Sequence, residues 1–216
     1  MRKCRVLTPL TLSTSWQIIP INVPARALVF QCRTAVDALL CTHTDNIKYW
    51  TLKSGSSLIL DVEGTKYAYA AESTNLIVNG TFTGGSDPWT VSATEWTYGG
   101  NLMAKDADGV GVISQPVSTL ISDAVYVVTL TMSGYAVSGL AVKVGGGDAS
   151  ATMASDAAHT QYVIAGSTVT GLLELVPTAA ASRFSVDTVL VYLVTGPVLL
   201  AKVAAGTPTL EIMALI

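Results

Sequence analysis

Two histidines and one acidic turn are the residues of this chain whose types could do chemistry. His43 and His159 stand far apart in the sequence, and neither has a Glu or Cys at the spacing of a metal ligand or catalytic partner. The run DADGVG, residues 106–111, begins like a calcium loop but lacks the glutamate that would complete one. We interpret each histidine as a turn residue and the acidic run as a glycine-rich hairpin turn. The sequence therefore predicts no catalytic site, no metal site, no cofactor and no enzyme.

The chain carries few charges for its length. Of its 216 residues, 12 are Lys or Arg and 15 are Asp or Glu, and the mean hydropathy is +0.50. The charged share is 12%, against about 25% in an ordinary soluble domain. Because association removes apolar surface from water, this composition indicates a surface that other subunits cover.

Charge and hydropathy also argue against two classes of partner. A net charge of −3 provides no electrostatic basis for binding nucleic acid. A transmembrane helix needs about 18 or more uninterrupted apolar residues, and the chain has no such run. We therefore expect neither nucleic acid nor a membrane as a partner.

The cysteines and the N-terminus bear on where the protein folds. The three cysteines, Cys4, Cys32 and Cys41, form an odd set without CxxC spacing, which favours reduced thiols and folding in a cytosol. The first residues are basic, as in a signal peptide, but Pro9 and the neighbouring Thr and Ser residues interrupt the apolar region that a signal needs. The segment is predicted to be a strand.

Most of the chain shows the alternation of half-buried β-strands. In YVVTLTM, residues 126–132, one face carries Tyr, Val, Leu and Met and the other carries Val and Thr. The run SSLILDVEG, residues 56–64, alternates in the same way. Glycine-rich turn signals recur at short intervals, for example Gly145 to Gly147. Short strands with such turns predict an all-β protein of sandwich or jelly-roll type.

A shift in composition predicts two domains, one inserted in the other. Residues 72–196 are rich in Ala, Gly, Ser, Thr and Val, whereas residues 1–71 hold most of the basic residues. The earlier composition returns after about residue 197, and joining 64–71 to 205–216 would produce two strands around a Gly-Thr-Pro turn. Since insertions are tolerated at exposed turns, we predict a discontinuous outer β-sandwich, residues 1–71 plus 197–216, and an inserted domain, residues 72–196. The apolar C-terminal run would then be the closing strand of the outer domain.

Four motifs of the middle segment resemble a known family. NLIVNGTF (75–82), followed by Trp89, resembles the opening of the carbohydrate-binding-module-like, or galactose-binding-like, jelly rolls. ISQPV (113–117), SDAVYVVTLTMSG (122–134) and RFSVDTVLVYLV (183–194) resemble their later strands and follow in the family's order. The resemblance implies that the inserted domain is a β-jelly roll, and that Trp89 is a core residue.

This resemblance implies two ligand hypotheses. The family binds sugars with exposed aromatic rings, and Trp96 and Tyr98 alternate onto one face beside a turn. They are the candidate carbohydrate-binding residues; the alternative, which we favour, is packing at a domain or subunit contact. The family also often holds a structural calcium ion. Asp187 matches its closing motif, but Thr83 replaces a common acidic ligand, so no metal is predicted.

The outer segments resemble small β-sandwich proteins of tailed bacteriophages. The phrases YWTLKSGSSLILDV (49–62) and AAGTPTLEI (204–212) are similar to those of capsid decoration and other virion proteins. The resemblance implies a homotrimeric decoration protein on the capsid surface. Its outer sandwich would dock on the major capsid protein and its jelly roll would project from the capsid.

The expected role is adhesion, in a virion assembled in the host bacterial cytoplasm. Apolar contacts and contacts through strand edges would hold neighbouring capsid subunits together. Two alternatives stay open: a tail or head–tail adaptor component of the same virion, and a carbohydrate-binding module that attaches to a surface glycan.

Overall fold

The structure is a computed structural model of the 216-residue chain. It describes residues 4–6, 10–11, 17–19, 27–32, 38–43, 49–53, 56–61, 70–91, 94–195, 198–203 and 209–215. These residues form antiparallel strands joined by turns, and no helix occurs among them. No segment of this described part is therefore a helix that could cross a bilayer. The protein is all-β, as predicted.

The strands are numbered in chain order. They are β1 (Cys4–Val6), β2 (Leu10–Thr11), β3 (Gln17–Ile18), β4 (Ala27–Cys32), β5 (Ala38–His43), β6 (Tyr49–Leu52), β7 (Ser57–Asp61), β8 (Ala70–Ala71), β9 (Trp96–Gly99), β10 (Leu102–Lys105), β11 (Ile113–Pro116), β12 (Val125–Val137), β13 (Leu140–Val144), β14 (Ala157–Ile164), β15 (Leu172–Pro177), β16 (Arg183–Thr195), β17 (Val198–Val203) and β18 (Thr209–Leu215).

The chain divides into two compact units. The first unit contains Met1–Ala70 and Thr195–Ile216, and the second contains Ala71–Val194. The predicted boundaries, 1–71 plus 197–216 and 72–196, differ from these by one or two residues. That each unit is a domain able to fold alone stays a prediction.

The first unit contains two antiparallel sheets. One has the order β1-β18-β4-β7, with β2 also paired to β18, and the other has the order β3-β17-β5-β6. The C-terminal strand β18 thus lies between two strands from the first 32 residues, with Leu215 opposite Ala27 and Leu210 opposite Cys32. An apolar chain end occurs here because it is an interior strand of a sheet.

The hairpin expected from joining 64–71 to the C-terminal segment has no counterpart in the described pairings. Residues 62–69 lie outside the described part of the chain, and the short strand β8 pairs with β16. The described partners of β18 are β1, β2 and β4. The C-terminal run is therefore a strand, but residues 70–71 are not its partner.

The second unit is a β-sandwich with one core. One sheet has the order β14-β12-β16-β10-β9, with β8 paired to β16, and the other has the order β11-β15-β13. Consecutive strands from β10 to β16 alternate between the two sheets. Both sheets contribute to a single buried cluster, which includes Tyr126, Val128, Leu130, Met132, Val189 and Val191 from the larger sheet and Ile113, Leu140, Val142, Val144, Leu173 and Leu175 from the smaller one. The four residues that the alternation placed on one face, Tyr126, Val128, Leu130 and Met132, all lie in this core.

A β-bulge keeps β16 in register with this core. Thr129 lies opposite Leu190 while Thr131 lies opposite Asp187, so β16 contains one more residue than β12 across this step. Thr188 provides the extra residue with a φ of 52°, in the left-handed region. As a result Phe184 and Val186 before the bulge, and Val189 and Val191 after it, all reach the core.

The backbone of Gly80 lies directly against this bulged strand. Its carbonyl oxygen accepts a 2.9 Å hydrogen bond from the Val189 N–H, and a Cβ at position 80 would overlap the Val189 carbonyl oxygen. Only glycine fits this approach without moving the strand.

The Gly80→Ala variant should therefore be strongly destabilised. Displacing Val189 disturbs both the hydrogen bond and the core, so we expect the free energy of unfolding to fall by about 2–3 kcal/mol in urea denaturation. Gly99→Ala is the matched control, because no atom lies within 4 Å of a Cβ built there. Equal losses in the two variants would contradict the packing described here.

Candidate functional site

The opening motif of the middle segment is held by hydrogen bonds to β16. The side-chain oxygen of Asn75 accepts from the N–H groups of Ile77 at 3.2 Å and Val191 at 2.9 Å. The Leu76 N–H donates to the Val191 carbonyl at 2.8 Å. Asn75 therefore orients the segment against the sheet, which leaves its oxygen fully used inside the fold.

Gln115, from the motif ISQPV, connects the same segment to the smaller sheet. Its side chain is buried, its oxygen accepts from the Val78 N–H at 2.8 Å, and its nitrogen donates to the Val78 carbonyl at 2.7 Å. The Gln115 side-chain amide thus forms with the backbone of Val78 the two hydrogen bonds that a neighbouring strand would otherwise form. Because an unpaired buried amide is costly, this residue has a structural role.

Asn79 and Trp89 close the turn that follows. The Asn79 amide nitrogen donates to the carbonyls of Gly85 at 2.9 Å and Asp87 at 2.8 Å. The Trp89 indole N–H donates to the Asn79 carbonyl at 3.1 Å, and its ring lies 5.3 Å from that of Phe82. Trp89 is buried, so the prediction that it is a core residue is confirmed.

The predicted sugar-binding pair, Trp96 and Tyr98, does not form an exposed platform. Trp96 is 3% exposed; its indole N–H donates to the Gly111 carbonyl at 2.7 Å, and its ring meets Phe184 edge-on at 5.7 Å. Tyr98 is 42% exposed, with its hydroxyl 3.4 Å from the Asn101 side-chain oxygen. Trp96 packs in the core, so only one of the two rings is available to a ligand.

The side of β9 that carries Trp96 and Tyr98 explains why the two rings form no exposed platform. Trp96 and Tyr98 lie opposite Lys105 and Met103 in the ladder between β9 and β10, and Met103 and Trp96 both belong to the core. The two rings therefore do share one side of β9, but it is the inward side. Tyr98 keeps its exposure near the Gly99–Gly100 turn.

A buried lysine anchors the loop that the acidic motif forms. The Lys105 ammonium group, on a residue only 1% exposed, donates to the carbonyl oxygens of Ala107 and, at 3.4 Å, Ala180. Burial lowers the pKa of Lys105 below its ordinary value of 10.5, and the positive charge of Arg183 lowers it further. The nearby carboxylates act in the opposite direction.

The carboxylates of this loop have partners within the protein. Asp108 lies 2.6 Å from the Arg183 guanidinium, whose hydrogen bond and charge lower the pKa of the carboxyl group. Asp106 accepts a 2.7 Å hydrogen bond from the Thr97 hydroxyl. Among the residues that the structure describes, no group of three His, Cys, Asp or Glu residues is placed to hold a metal ion.

The remaining candidate residues are also in local contacts. Asp187 accepts from the Thr188 N–H at 2.6 Å, and the Thr83 hydroxyl lies 2.9 Å from that of Thr81. The interpretation of the histidines as turn residues is wrong, because His43 ends β5 and His159 lies within β14. His159 places Nε2 2.9 Å from the Ser155 carbonyl oxygen.

Sequence reasoning missed an open groove at one end of the sandwich. It has a volume of about 620 Å³ and is formed by Pro116, Val117, Ser118, Leu120, Val169, Thr170 and Gly171. The glycine tract 145–147 is the sequence feature that could have indicated this groove. The tract packs against the loops that form the groove and is not an open turn. A Cβ at Gly145 would touch Val169 and Leu120, and one at Gly147 would overlap the Ile164 carbonyl oxygen.

Comparison with known proteins adds no family. No protein-family model matches the chain, and no curated protein is significantly similar to it. Within the described residues, the second unit has an open groove, the exposed ring of Tyr98 and the edges of two sheets.

Because Trp96 is buried and Tyr98 is exposed, alanine substitutions at the two positions should have different effects on stability. Trp96→Ala should lower the free energy of unfolding by about 3–5 kcal/mol, because it leaves a core cavity and an unpaired Gly111 carbonyl. Tyr98→Ala should lower it by less than about 1 kcal/mol. Urea denaturation measures both. A sugar platform would instead show two mildly affected variants that both lose retention on polysaccharide gels.

The burial of Lys105 predicts a pH dependence. Because its folded pKa is lowered, the unfolded chain binds more protons between that value and 10.5, so the free energy of unfolding rises with pH in this window. Lys105→Met lacks this contribution. The stability of the wild type relative to the variant should therefore increase as pH rises toward about 10.

Urea titrations of both proteins at several pH values measure this difference. Burial raises the pKa of Tyr126, which makes the stability contribution of that residue fall with rising pH, but Tyr126 is present in both proteins and cancels. A relative stability that stays constant with pH would contradict the buried, desolvated position of Lys105.

Proposed function

We propose that this protein is a non-enzymatic structural component of a tailed-phage virion, a homotrimeric decoration protein that binds the major capsid protein on the capsid surface. The observation that carries the proposal is the low charge of an all-β chain: 12% of residues are charged, and the described part consists of antiparallel sheets. A protein that functions through large, shallow interfaces needs a surface with few charges and does not need a reactive site.

The contacts of the candidate residues support a structural role for the second unit. The motif residues Asn75, Gln115 and Trp89 all form hydrogen bonds within the fold. The candidate sugar-binding residue Trp96 does the same. This unit is proposed to be the inserted jelly roll of the resemblance. The sugar hypothesis retains one exposed ring, Tyr98, and becomes the weaker proposal.

The surface chemistry supports a cementing mechanism. Exposed apolar side chains occur at Val78, Val110, Ile121 and Val137, and the groove beside Ile121 is lined without a charged residue. Contacts made by such groups and by strand edges gain from water exclusion and backbone hydrogen bonds. They bridge neighbouring capsid subunits and increase the work of separating them.

This mechanism predicts that binding to the capsid survives high salt. Screening acts on exposed charges beyond about 10 Å at 0.1 M salt, so an apolar contact loses little affinity while a charge-paired contact weakens. Particles stripped of the protein would be given it back at low and high ionic strength. We expect equal occupancy, and a raised temperature of capsid rupture, at both salts.

Asp108→Asn is the control for ionic contributions, since it removes one exposed carboxylate, and its occupancy should match that of the wild type. Occupancy that falls steeply with salt would overturn the mechanism. Labelling that finds the protein at the neck or tail would favour the adaptor, and retention on polysaccharide without capsid binding would favour the carbohydrate-binding module.

A further inference from the structure

One dipeptide of the opening motif is chemically reactive. Of the five asparagines in the chain, only Asn79 is followed by glycine; the others precede Val, Ile or Leu. In an Asn-Gly dipeptide the glycine nitrogen can attack the side-chain carbonyl carbon of the asparagine, because glycine has no side chain to hinder the approach and its backbone rotates freely. In an unfolded chain, Asn79 is therefore the asparagine at which spontaneous deamidation should be fastest.

The reaction is a cyclisation followed by hydrolysis. The Gly80 nitrogen bonds to Cγ of Asn79, its proton passes to the side-chain amide, and that amide leaves as ammonia. Water then opens the resulting succinimide ring at one of its carbonyl groups. One opening produces aspartate at position 79. The other produces isoaspartate, in which the main chain runs through the former side chain and is one carbon longer.

In the folded protein the leaving group of this reaction is held by two acceptors. The side-chain nitrogen of Asn79 donates to the carbonyl oxygens of Gly85 at 2.9 Å and Asp87 at 2.8 Å. These acceptors belong to the turn that leads to Trp89, whose indole bonds back to the Asn79 carbonyl. Because ring closure expels the side-chain nitrogen, it breaks both hydrogen bonds.

The peptide bond between Asn79 and Gly80 is held as well. The Asn79 carbonyl oxygen accepts hydrogen bonds from the Phe82 N–H at 3.2 Å and from the Trp89 indole at 3.1 Å. The Gly80 carbonyl oxygen accepts from Val189, whose backbone leaves no room for a Cβ at Gly80. Forming the ring draws the Gly80 nitrogen toward Cγ of Asn79, and these contacts resist that displacement.

We propose that Asn79–Gly80 is a deamidation site that folding of the second unit closes, so that only unfolded or opened chains are modified there. The rate of deamidation in the native protein is then the rate in the unfolded chain multiplied by the fraction of molecules in which the unit is open. The site thereby records how long a chain has spent unfolded.

A chain that is modified before it folds should fail to fold correctly. Both products replace an amide that donates two hydrogen bonds with a carboxylate that only accepts them. The carbonyl oxygens of Gly85 and Asp87 then lose their donor and face a negative charge. Isoaspartate also lengthens the main chain directly before Gly80, which fits against Val189 only without a Cβ. Deamidation therefore separates chains that folded promptly from chains that stayed unfolded.

Closure of this site goes beyond the proposed capsid role and does not depend on it. It acts on the single chain before assembly, and no capsid is needed to measure it. Failure of the capsid proposal would therefore leave the deamidation results unchanged.

Ageing the full chain in the folded state and in guanidinium chloride measures the protection. Both samples are incubated at the same mildly alkaline pH, digested, and analysed by mass spectrometry for deamidation at each asparagine. The reaction at Asn79 should be about a hundredfold or more slower in the folded sample. In denaturant it should be faster at Asn79 than at Asn75 and Asn101, which both precede Leu. Equal rates at Asn79 in the two samples would overturn the proposal.

Two variants connect the protection to folding of the second unit. Trp96 lies in its core and Tyr98 is exposed. Deamidation at Asn79 under native conditions should be at least about tenfold faster in Trp96→Ala, because more molecules are open, and unchanged in Tyr98→Ala, the matched control.

Denaturant concentrations below the unfolding transition test the same point in the wild type, even where Trp96→Ala does not fold. The rate at Asn79 should rise with denaturant as the open fraction rises. A rate that does not change with denaturant would contradict closure by folding of the unit.

Refolding of partly aged chains tests the consequence for folding. Chains are aged in denaturant until modified and unmodified forms are both abundant, refolded as one mixture, and separated by size-exclusion chromatography. Isoaspartate at position 79 should be depleted about tenfold or more in the folded fraction. Chains held in denaturant for the same time at mildly acidic pH, where the Gly80 nitrogen loses its proton less readily, are the control and should refold as fresh protein does. Equal isoaspartate content in the folded and misfolded fractions would sink the claim that the modification prevents folding.

Discussion

The second unit depends on the way residues 75–82 are tied to both of its sheets. Backbone groups of Leu76 and Gly80 bond to Val191 and Val189 on β16, in the larger sheet. Val78 lies two residues before Gly80. Its backbone N–H and carbonyl bond to the side chain of Gln115, which belongs to β11 in the smaller sheet. One short segment therefore satisfies backbone groups on both layers, and the position of Gly80 against Val189 leaves no room for a side chain.

The buried polar groups of this unit are also bonded within the fold. Lys105, Gln115, Ser150 and Ser182 are buried, and within the described part of the chain every buried side-chain nitrogen or oxygen has a partner. Lys105 reaches two loop carbonyls, and Gln115 pairs with a strand-like segment. Because polar atoms bonded in this way are not free for a ligand, the places open to function are on the surface.

The surface of the second unit supports the proposal of a protein that acts by association. The open groove that Leu120 and Val169 line has no charged residue in its lining, so a contact there would gain mainly from apolar area. It belongs to a chain with 12% charged residues, so such a contact would not depend strongly on ion pairs. A virion protein held by many such contacts could be displaced only by separating the whole surface.

The alternation in runs such as 126–132 and the recurrent glycine turns were enough to predict an all-β protein, because a period of two is typical of strands and not of helices. The family resemblance implied that Trp89 is a core residue, which its burial confirms. Three features follow from the tertiary structure alone: the side of β9 that faces inward, the bulge at Thr188, and the need for glycine in the tract 145–147. The physical reason is that a period of two defines two faces of a strand, but not which face is buried or which strands lie beside it. Those choices depend on contacts between residues distant in sequence, and they placed Trp96 in the core.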